Sequence, residues 1–375
     1  MMITRHYQNL EQYLAFKKVL ILYGPRQVGK TTLIEEFLQS YRGSYRYDTG
    51  DDIEIRNVFL SESKAQLLDY AGGNSLIVID EAQRIAKVGL GLKMLVDALP
   101  KTFFLITGSS SIELMGQVGE PLTGRKKTLF LFPLSQKELY ANHNRFEMKK
   151  NLETYLLYGS YPEVITLQKK KEKEGYLKEL AHSYLLKDIL EMDKVKNSQV
   201  LMDLLRSLAF QIGGEVSLSE LSRNLGINAK TVARYIDLLE KSFIIYGLRG
   251  FSKNLRKEIT KMRKFYFYDN GVRNALISNF NSLPLRNDIG MLWENFLFME
   301  RLKKRSHNEI NANIFFWRTW DGEEIDLIEE RSGGLFGYEF KYKIQKKTKF
   351  KTWKEYYPDE PVEVIDSENY LDFIL

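Results

Sequence analysis

In the first third of the chain the hydrophobic positions come in short unbroken runs. Val19–Tyr23, the run that ends at Asp80-Glu81 within Ser75–Gln83, and Thr102–Thr107 are apolar almost throughout. That is the pattern of strands covered on both faces. Further strands are read at Tyr45–Gly50 and Lys127–Phe132, and helices at about Lys30–Gln39 and Ile55–Tyr70. Residues 1–18 set Arg5, His6, Lys17 and Lys18 around Leu10, Tyr13, Leu14 and Phe16, which reads as a short amphipathic helix. Residues 136–190 read as helices, interrupted by a glycine turn and a proline at Tyr158–Val164. Lys169–Glu174 is a charge run on a solvated helix face.

From about Leu201 the pattern changes. Val216–Ile245 predicts two short helices separated by Leu225-Gly226-Ile227-Asn228, with the glycine turning the chain and Asn228 capping the second helix. At 3.6 residues per turn, Val232, Ile236 and Leu239 share a buried side of that helix. Lys230, Arg234 and Lys241 share the other side, together with Asp237. This is the arrangement of a helix-turn-helix that offers its second helix to a DNA groove. Phe243–Arg249 and Lys264–Tyr268 can pair as a wing, with Lys253, Arg256, Lys257, Lys261 and Arg263 suited to phosphate contact. A winged helix that serves only as a packing or protein-contact module is the competing reading.

In the last module Glu294 lies on a helical pattern. Strand alternation places Glu324, Asp326 and Ile328 on one face, and Glu339 and Lys341 on one face of the next strand. Paired strands would bring Asp326, Glu339 and Lys341 together, with Glu294 approaching from the helix. Three carboxylates suit Mg²⁺, and a lysine can position water or stabilise phosphate charge.

Composition adds bounds. The 375 residues exceed one typical core, and 44% hydrophobic with 28% charged is a globular balance. The chain has no cysteine, which excludes disulfides and cysteine-ligated zinc and makes the cytosol the simplest compartment. No apolar run approaches a bilayer span and the N-terminus has no long apolar stretch, so neither a membrane nor a signal peptide is expected. A net charge of +6 permits nucleic acid as a partner.

The most specific signal is Gly24-Pro25-Arg26-Gln27-Val28-Gly29-Lys30-Thr31, followed by Thr32. Glycines, lysine and hydroxyl in this spacing, with a strand before and a helix after, form a phosphate cradle. Backbone N–H groups and the helix N-terminus face phosphate oxygens, Lys30 reaches the β- and γ-phosphates, and Thr31 is placed on Mg²⁺. About fifty residues on, Asp80 can hold the same Mg²⁺ and Glu81 can act as general base on water. Thr107 or Ser109 could sense the γ-phosphate or merely form a turn.

The succession strand–loop, strand–Asp-Glu, strand–Gly-Ser and Gly124-Arg125 before a last strand resembles the AAA-type ATPases, in a bacterial and archaeal branch with a helical segment and a C-terminal region. The resemblance implies ATP and Mg²⁺ as cofactors and a homo-oligomer, ring or partial ring. It also implies Arg125 as an arginine finger supplied to a neighbouring subunit. Seen only as a residue, Arg125 is one member of a basic cluster with Lys126 and Lys127. The order Asp326…Glu339-x-Lys341 resembles the PD-(D/E)xK nuclease fold, including resolvase-like members, with Ile325 where a proline is usual. The expected fold class is therefore α/β. It comprises a P-loop AAA-type ATPase core (1–140), a helical lid (141–195), a winged helix-turn-helix (196–280) and a C-terminal α/β nuclease-like domain (281–375). Three functions fit. They are an ATPase acting on DNA, branched DNA by analogy with resolvases; a nucleotide-driven oligomeric switch in signalling or defence, without nuclease activity; and a DNA-binding regulator with slow ATPase activity. The four histidines are scattered and suggest no metal site.

Overall fold

The computed structural model describes residues 3–109, 121–184, 198–251, 263–319, 321–343 and 350–375. The chain divides into two compact units. One comprises Met2–Pro133 with Lys241–Phe243, the other Leu134–Glu240 and Ile244–Leu375.

The first unit is built on a five-stranded parallel sheet of β1 (Val19–Tyr23), β2 (Tyr45–Thr49), β3 (Leu76–Asp80), β4 (Phe103–Gly108) and β5 (Lys126–Phe130), in the order β2-β3-β4-β1-β5. The central strands are the unbroken apolar runs, and every residue of β3 is buried. The edge strands β2 (YRYDT) and β5 (KKTLF) carry the polar residues, because an edge is partly solvated. The connecting helices α1 (Lys30–Ser40), α2 (Ile53–Leu60), α3 (Lys64–Ala71) and α4 (Val88–Ala98) cover the sheet. Phe59, Leu67, Leu92 and Leu95 pack with Ile77, Ile79 and Ile106 in one core. The helix expected over Ile55–Tyr70 is two helices, since Ser63 caps α3 by accepting from Gln66 N. The N-terminal amphipathic helix is reduced to a single 3₁₀ turn, Leu10–Tyr13.

In the second unit, short helices α5 (Gln136–Tyr140), α6 (Arg145–Lys150), α7 (Leu152–Tyr158), α8 (Pro162–Thr166) and α9 (Lys170–Glu179) lead to α10 (Ser198–Phe210). The segment 185–189, read as a continuation of the helical region, lies outside the described residues. The helix-turn-helix is α11 (Leu218–Leu225) and α12 (Ala229–Lys241), with Gly226 at φ +64° and Asn228 accepting from Thr231 N at 2.8 Å. Strands β6 (Glu215–Val216), β7 (Ile245–Arg249) and β8 (Arg263–Phe267) form an antiparallel sheet in the order β6-β8-β7. After α13 (Asn270–Leu276) comes the long helix α14 (Ile289–His307). A four-stranded sheet follows, β9 (Asn313–Arg318), β10 (Glu324–Arg331), β11 (Gly334–Phe340) and β12 (Val362–Ile365), in the order β12-β11-β10-β9, with α15 (Lys351–Tyr356) and α16 (Tyr370–Ile374).

Buried polar groups tie these pieces into one unit. Asp269 accepts from Ser160 N at 2.7 Å, Asn274 donates to Leu157 O at 2.8 Å, and Glu300 accepts from Gln136 N at 2.7 Å. Phe251 N donates to Phe316 O at 2.6 Å, so the chain just past β7 meets β9. Among the described residues no helix is long and apolar enough to cross a membrane.

Candidate functional site

The phosphate cradle stands at the C-terminal edge of the first unit's sheet, where β1 turns into α1. Gly24 is required by close approach: a Cβ there would lie 2.1 Å from Leu131 O. Gly29 caps α1 with φ +92°, in the left-handed region. The turn between them runs through Pro25, Arg26, Gln27 and Val28. Lys30 is buried, and its ammonium donates to Gly24 O at 2.9 Å and Pro25 O at 2.8 Å. Thr32 follows on the exposed side of the first turn of α1.

Strand β4 lies between β1 and β3, and its end links the two halves of the site. Thr31 Oγ1 donates to Asp80 Oδ2 at 2.7 Å. Thr107 donates to the other oxygen of Asp80. Glu81 N donates to Thr107 Oγ1 at 3.0 Å and to Asp80 Oδ1 at 3.1 Å. Glu81 itself has φ +50°, a strained conformation for a residue with a side chain. Its carboxylate accepts from Gln83 Nε2, which also donates to Ser109 Oγ at 3.0 Å. Thr107 thus sits against Asp80 and Ser109 near Glu81, and both small residues do more than turn the chain. Replacing Thr107 with valine keeps the shape and removes the hydroxyl that serves Asp80 and Glu81 N. The expected loss is about 1–3 kcal/mol of stability, read as a lowered urea midpoint.

Sequence reasoning passed over two residues here. Gln83 has no motif of its own and shows only as the polar neighbour of Glu81. Arg5 donates to Val28 O at 2.5 Å and to Phe132 O at 2.7 Å, so the N-terminal segment braces the loop.

The structure does not bring Arg125 to this cradle. It precedes β5, and its carbonyl accepts from Val19 N at the opposite edge of the sheet. Its guanidinium is exposed and pairs with Asp97, Nε to Oδ1 at 2.8 Å.

Thr31 Oγ1 and Asp80 Oδ2 are adjacent hard oxygens at the foot of the loop, the donor set Mg²⁺ prefers, so these residues fit that ion.

Helix α12 buries Val232, Ile236 and Leu239 and exposes Lys230, Arg234 and Lys241. Arg263 does not face outward as a phosphate contact. It is held by Glu240 at 2.9 and 2.5 Å. Lys253, Arg256, Lys257 and Lys261 lie outside the described residues.

Glu294, Asp326, Glu339 and Lys341 do converge, lining a cavity of about 580 Å³. Asp326 Oδ2 accepts from Phe340 N at 2.8 Å, and Lys341 Nζ lies 2.5 Å from Glu339 Oε1. One expectation is corrected. The pairing of β10 with β9 shifts register between Ile325 and Ile328, and this bulge returns Ile328 to the face of Ile325, in the core with Trp317 and Trp353, away from Asp326. The residue at the centre was not foreseen. Lys264, on β8, places Nζ 3.1 Å from Glu294 Oε1 and 3.6 Å from Asp326 Oδ1, and pairs with Glu324. Burial alone would lower its pKa, but Tyr266 and the carboxylates outweigh that and raise it. Burial, with the charge of Asp326, lifts Glu294 to about 8 and Glu339 to about 7. The signal for Lys264 was there in the alternation: it shares a face with Tyr266, whose hydroxyl donates to Glu294 at 2.7 Å. Among the described residues no group of three or more histidine, aspartate or glutamate side chains is arranged to hold a metal ion. The donors are those of a divalent-ion site, but an ammonium stands among them, so this pocket does not fit the ion.

Residues 16–140 match the family model described as an AAA domain. The chain carries an AAA-type P-loop domain. Residues 149–283 and 289–370 match two further models, each described as a domain of unknown function, DUF8612 and DUF4143. An uncharacterised protein of Mycobacterium bovis is 27% identical over 327 residues, covering 86% of this chain and 70% of its own. One of Haemophilus influenzae is 26% identical over 372 residues, covering 92% and 88%. Another, of Methanocaldococcus jannaschii, is 24% identical over 341 residues, covering 86% and 74%. Among solved structures, RuvB of Thermotoga maritima is 19% identical with a TM-score of 0.29, over 61% of this chain and 81% of that one.

Proposed function

We propose that this chain is an ATP-hydrolysing AAA-type ATPase that acts on DNA, with its second unit as the part that grips the duplex. The observation that supports hydrolysis is the convergence of Lys30, Thr31, Asp80 and Glu81 at one edge of the sheet, joined by the Thr31–Asp80 hydrogen bond. In this reading the amides of Gly24–Thr32 hold the phosphates, and Lys30 turns from the loop carbonyls to the β- and γ-phosphate oxygens. Thr31 and Asp80 would hold Mg²⁺, which when bound neutralises charge on the phosphates. Glu81, oriented by Gln83, takes the proton of the attacking water. Arg125 acts in a neighbouring copy, in a homo-oligomeric ring or partial ring. Its exposed pair with Asp97 is weak enough to exchange for phosphate.

DNA contact is supported by Lys230, Arg234 and Lys241 on the exposed face of α12. The test is ATP turnover with and without duplex, single-stranded and four-way junction DNA. Turnover should rise with DNA, and binding should weaken steeply with salt, as each neutralised phosphate adds about 0.9 to the slope of log affinity against log salt. Lys230→Glu with Arg234→Glu should remove the stimulation and keep basal turnover.

A second reading, a nucleotide-driven oligomeric switch whose C-terminal modules contact protein, is favoured by the acidic character of the second unit's cavity, which repels phosphate. Turnover indifferent to every DNA, with no salt-dependent binding, would select it.

A further inference from the structure

The cavity of the second unit has the oxygen donors of a metal centre, but its middle is occupied by a side chain. We propose that Lys264 is the resident cation of this pocket and closes it to divalent metal ions, so that the module meets its partner without metal and makes no metal-dependent cut in DNA.

Mg²⁺ and ions of similar size sit about 2.0–2.6 Å from their oxygens. The oxygens such an ion would take from Glu294, Glu324 and Asp326 already face the Lys264 ammonium. Two cations cannot share that place, since like charges a few ångströms apart in a buried site repel strongly. The carboxylates left over are too few. One oxygen of Glu339 is paired with Lys341 and the other is buried without a hydrogen-bond partner. That one oxygen of Glu339 cannot by itself replace enough of the water that Mg²⁺ surrenders reluctantly.

Lys264 is 2% exposed. It lies on the central strand of its sheet, opposite Glu215 on β6 and Leu248 on β7. Its ammonium is 5.4 Å from the centre of the Phe316 ring. Three residues on, Asn295 brackets Phe267, accepting from its N at 2.7 Å and donating to its O at 2.9 Å. Held on three carboxylates and almost wholly buried, the ammonium is a fixed part of the pocket.

Glu294, Asp326 and Glu339 come from the C-terminal sheet and its helix, whereas Lys264 comes from the sheet of the winged helix. The cation is supplied by one module to the acids of the other. It therefore joins them, as a metal bridging two sets of ligands would.

The test is Mn²⁺ titration of the full chain without nucleotide, followed by calorimetry and by the electron paramagnetic resonance of free Mn²⁺. Wild type and Asp326→Ala should give the same isotherm, because the pocket contributes no site and any Mn²⁺ at Thr31 and Asp80 is common to both. Lys264→Gln should gain one Mn²⁺ site, at least 10-fold tighter than anything in wild type, and Asp326→Ala added to it should remove that site. Mn²⁺ should raise the melting temperature of Lys264→Gln by more than that of wild type, since any Mn²⁺ at Thr31 and Asp80 acts on both alike. A wild-type site that Asp326→Ala abolishes would overturn the proposal. So would Mn²⁺- or Mg²⁺-dependent DNA cleavage that the same substitution removes, or a folded Lys264→Gln protein with no new site. Should Lys264→Gln fail to fold, the comparison of wild type with Asp326→Ala decides alone. None of these outcomes bears on ATP turnover, which is measured separately.

Discussion

Replacing Lys30 by alanine is expected to abolish ATP turnover and to weaken nucleotide binding, and replacing Glu81 by glutamine should abolish turnover while binding stays. The two losses have different physical origins. Lys30 is a buried ammonium held over the loop by Gly24 O and Pro25 O. Those carbonyls fix where the charge waits, and the same position commands the phosphates. Without it the developing charge on the transferred phosphoryl group loses a preorganised cation, an effect of about 10²–10³-fold or more for one such donor. Glu81 makes no phosphate contact in this scheme. Its carboxylate is aimed by Gln83 and its backbone is pinned by Thr107. Glutamine fills the same volume but cannot take the proton from water, and general-base assistance accounts for about 10²–10⁴-fold. A fluorescent ATP analogue measures binding, and phosphate release measures turnover. A Lys30→Ala protein that hydrolyses ATP at the normal rate would end the ATPase reading. A Glu81→Gln protein with intact turnover would move the base elsewhere.

The same geometry explains which parts of the molecule could be read from the chain. The loop and the acid pair were legible because each combines a rigid backbone requirement with a chemical one. Only glycine fits where Gly24 meets Leu131 O, and only a strand end delivers Asp80 and Glu81 side by side. The burial of α12 was legible because 3.6-residue periodicity settles it locally. What escaped depends on contacts distant in sequence. Arg5 braces Val28 and Phe132 with no pattern to announce it. The bulge in β10 moved Ile328 off the expected face, since alternation assumes that no residue is inserted. Lys264 shows in the sequence only as the start of the strand Lys264–Tyr268. The distinction lay in its neighbours: Lys264 alternates with Tyr266 on an inward face, and an inward lysine needs acids to meet it.

These points bear on how the units relate to function. The site that carries a sharp motif lies wholly in the first unit, and its chemistry is local. The second unit carries exposed cations on α12 and a buried balance of acids and ammonium groups in its cavity. A carboxylate pocket held together by an internal lysine is built to keep modules in register. In the proposed reading, DNA is met by the exposed cations of α12.

Replacing Asp288 by alanine should destabilise the second unit by about 3–5 kcal/mol, the usual cost of stripping one partner from a buried charge cluster. Asp288 precedes α14, where an aspartate would ordinarily cap the helix, yet its side chain makes no capping bond. The carboxylate is turned instead to two guanidinium groups. Arg286 donates to it at 2.8 and 2.7 Å, and Arg273 at 2.5 Å. All three residues are buried. The arginines also hold the chain elsewhere, Arg273 through Ala209 O at 2.7 Å and Arg286 through Asn279 O at 2.5 Å. Alanine would leave two buried cations facing each other across a void. Asparagine would keep the shape and part of the hydrogen bonding but not the charge, so its smaller loss measures what the charge contributes. Acid should act like the asparagine change. Burial by itself would raise the Asp288 pKa, but the hydrogen bonds and charges of Arg286 and Arg273 outweigh it and leave the pKa below its ordinary value. A depressed carboxylate stabilises the fold above its unfolded pKa, about 4. That contribution fades as pH falls from there through the lower folded value. Urea midpoints of wild type and Asp288→Asn should therefore converge below about pH 4, and curves that stay parallel down to pH 2 would show that the charge at Asp288 carries no stability.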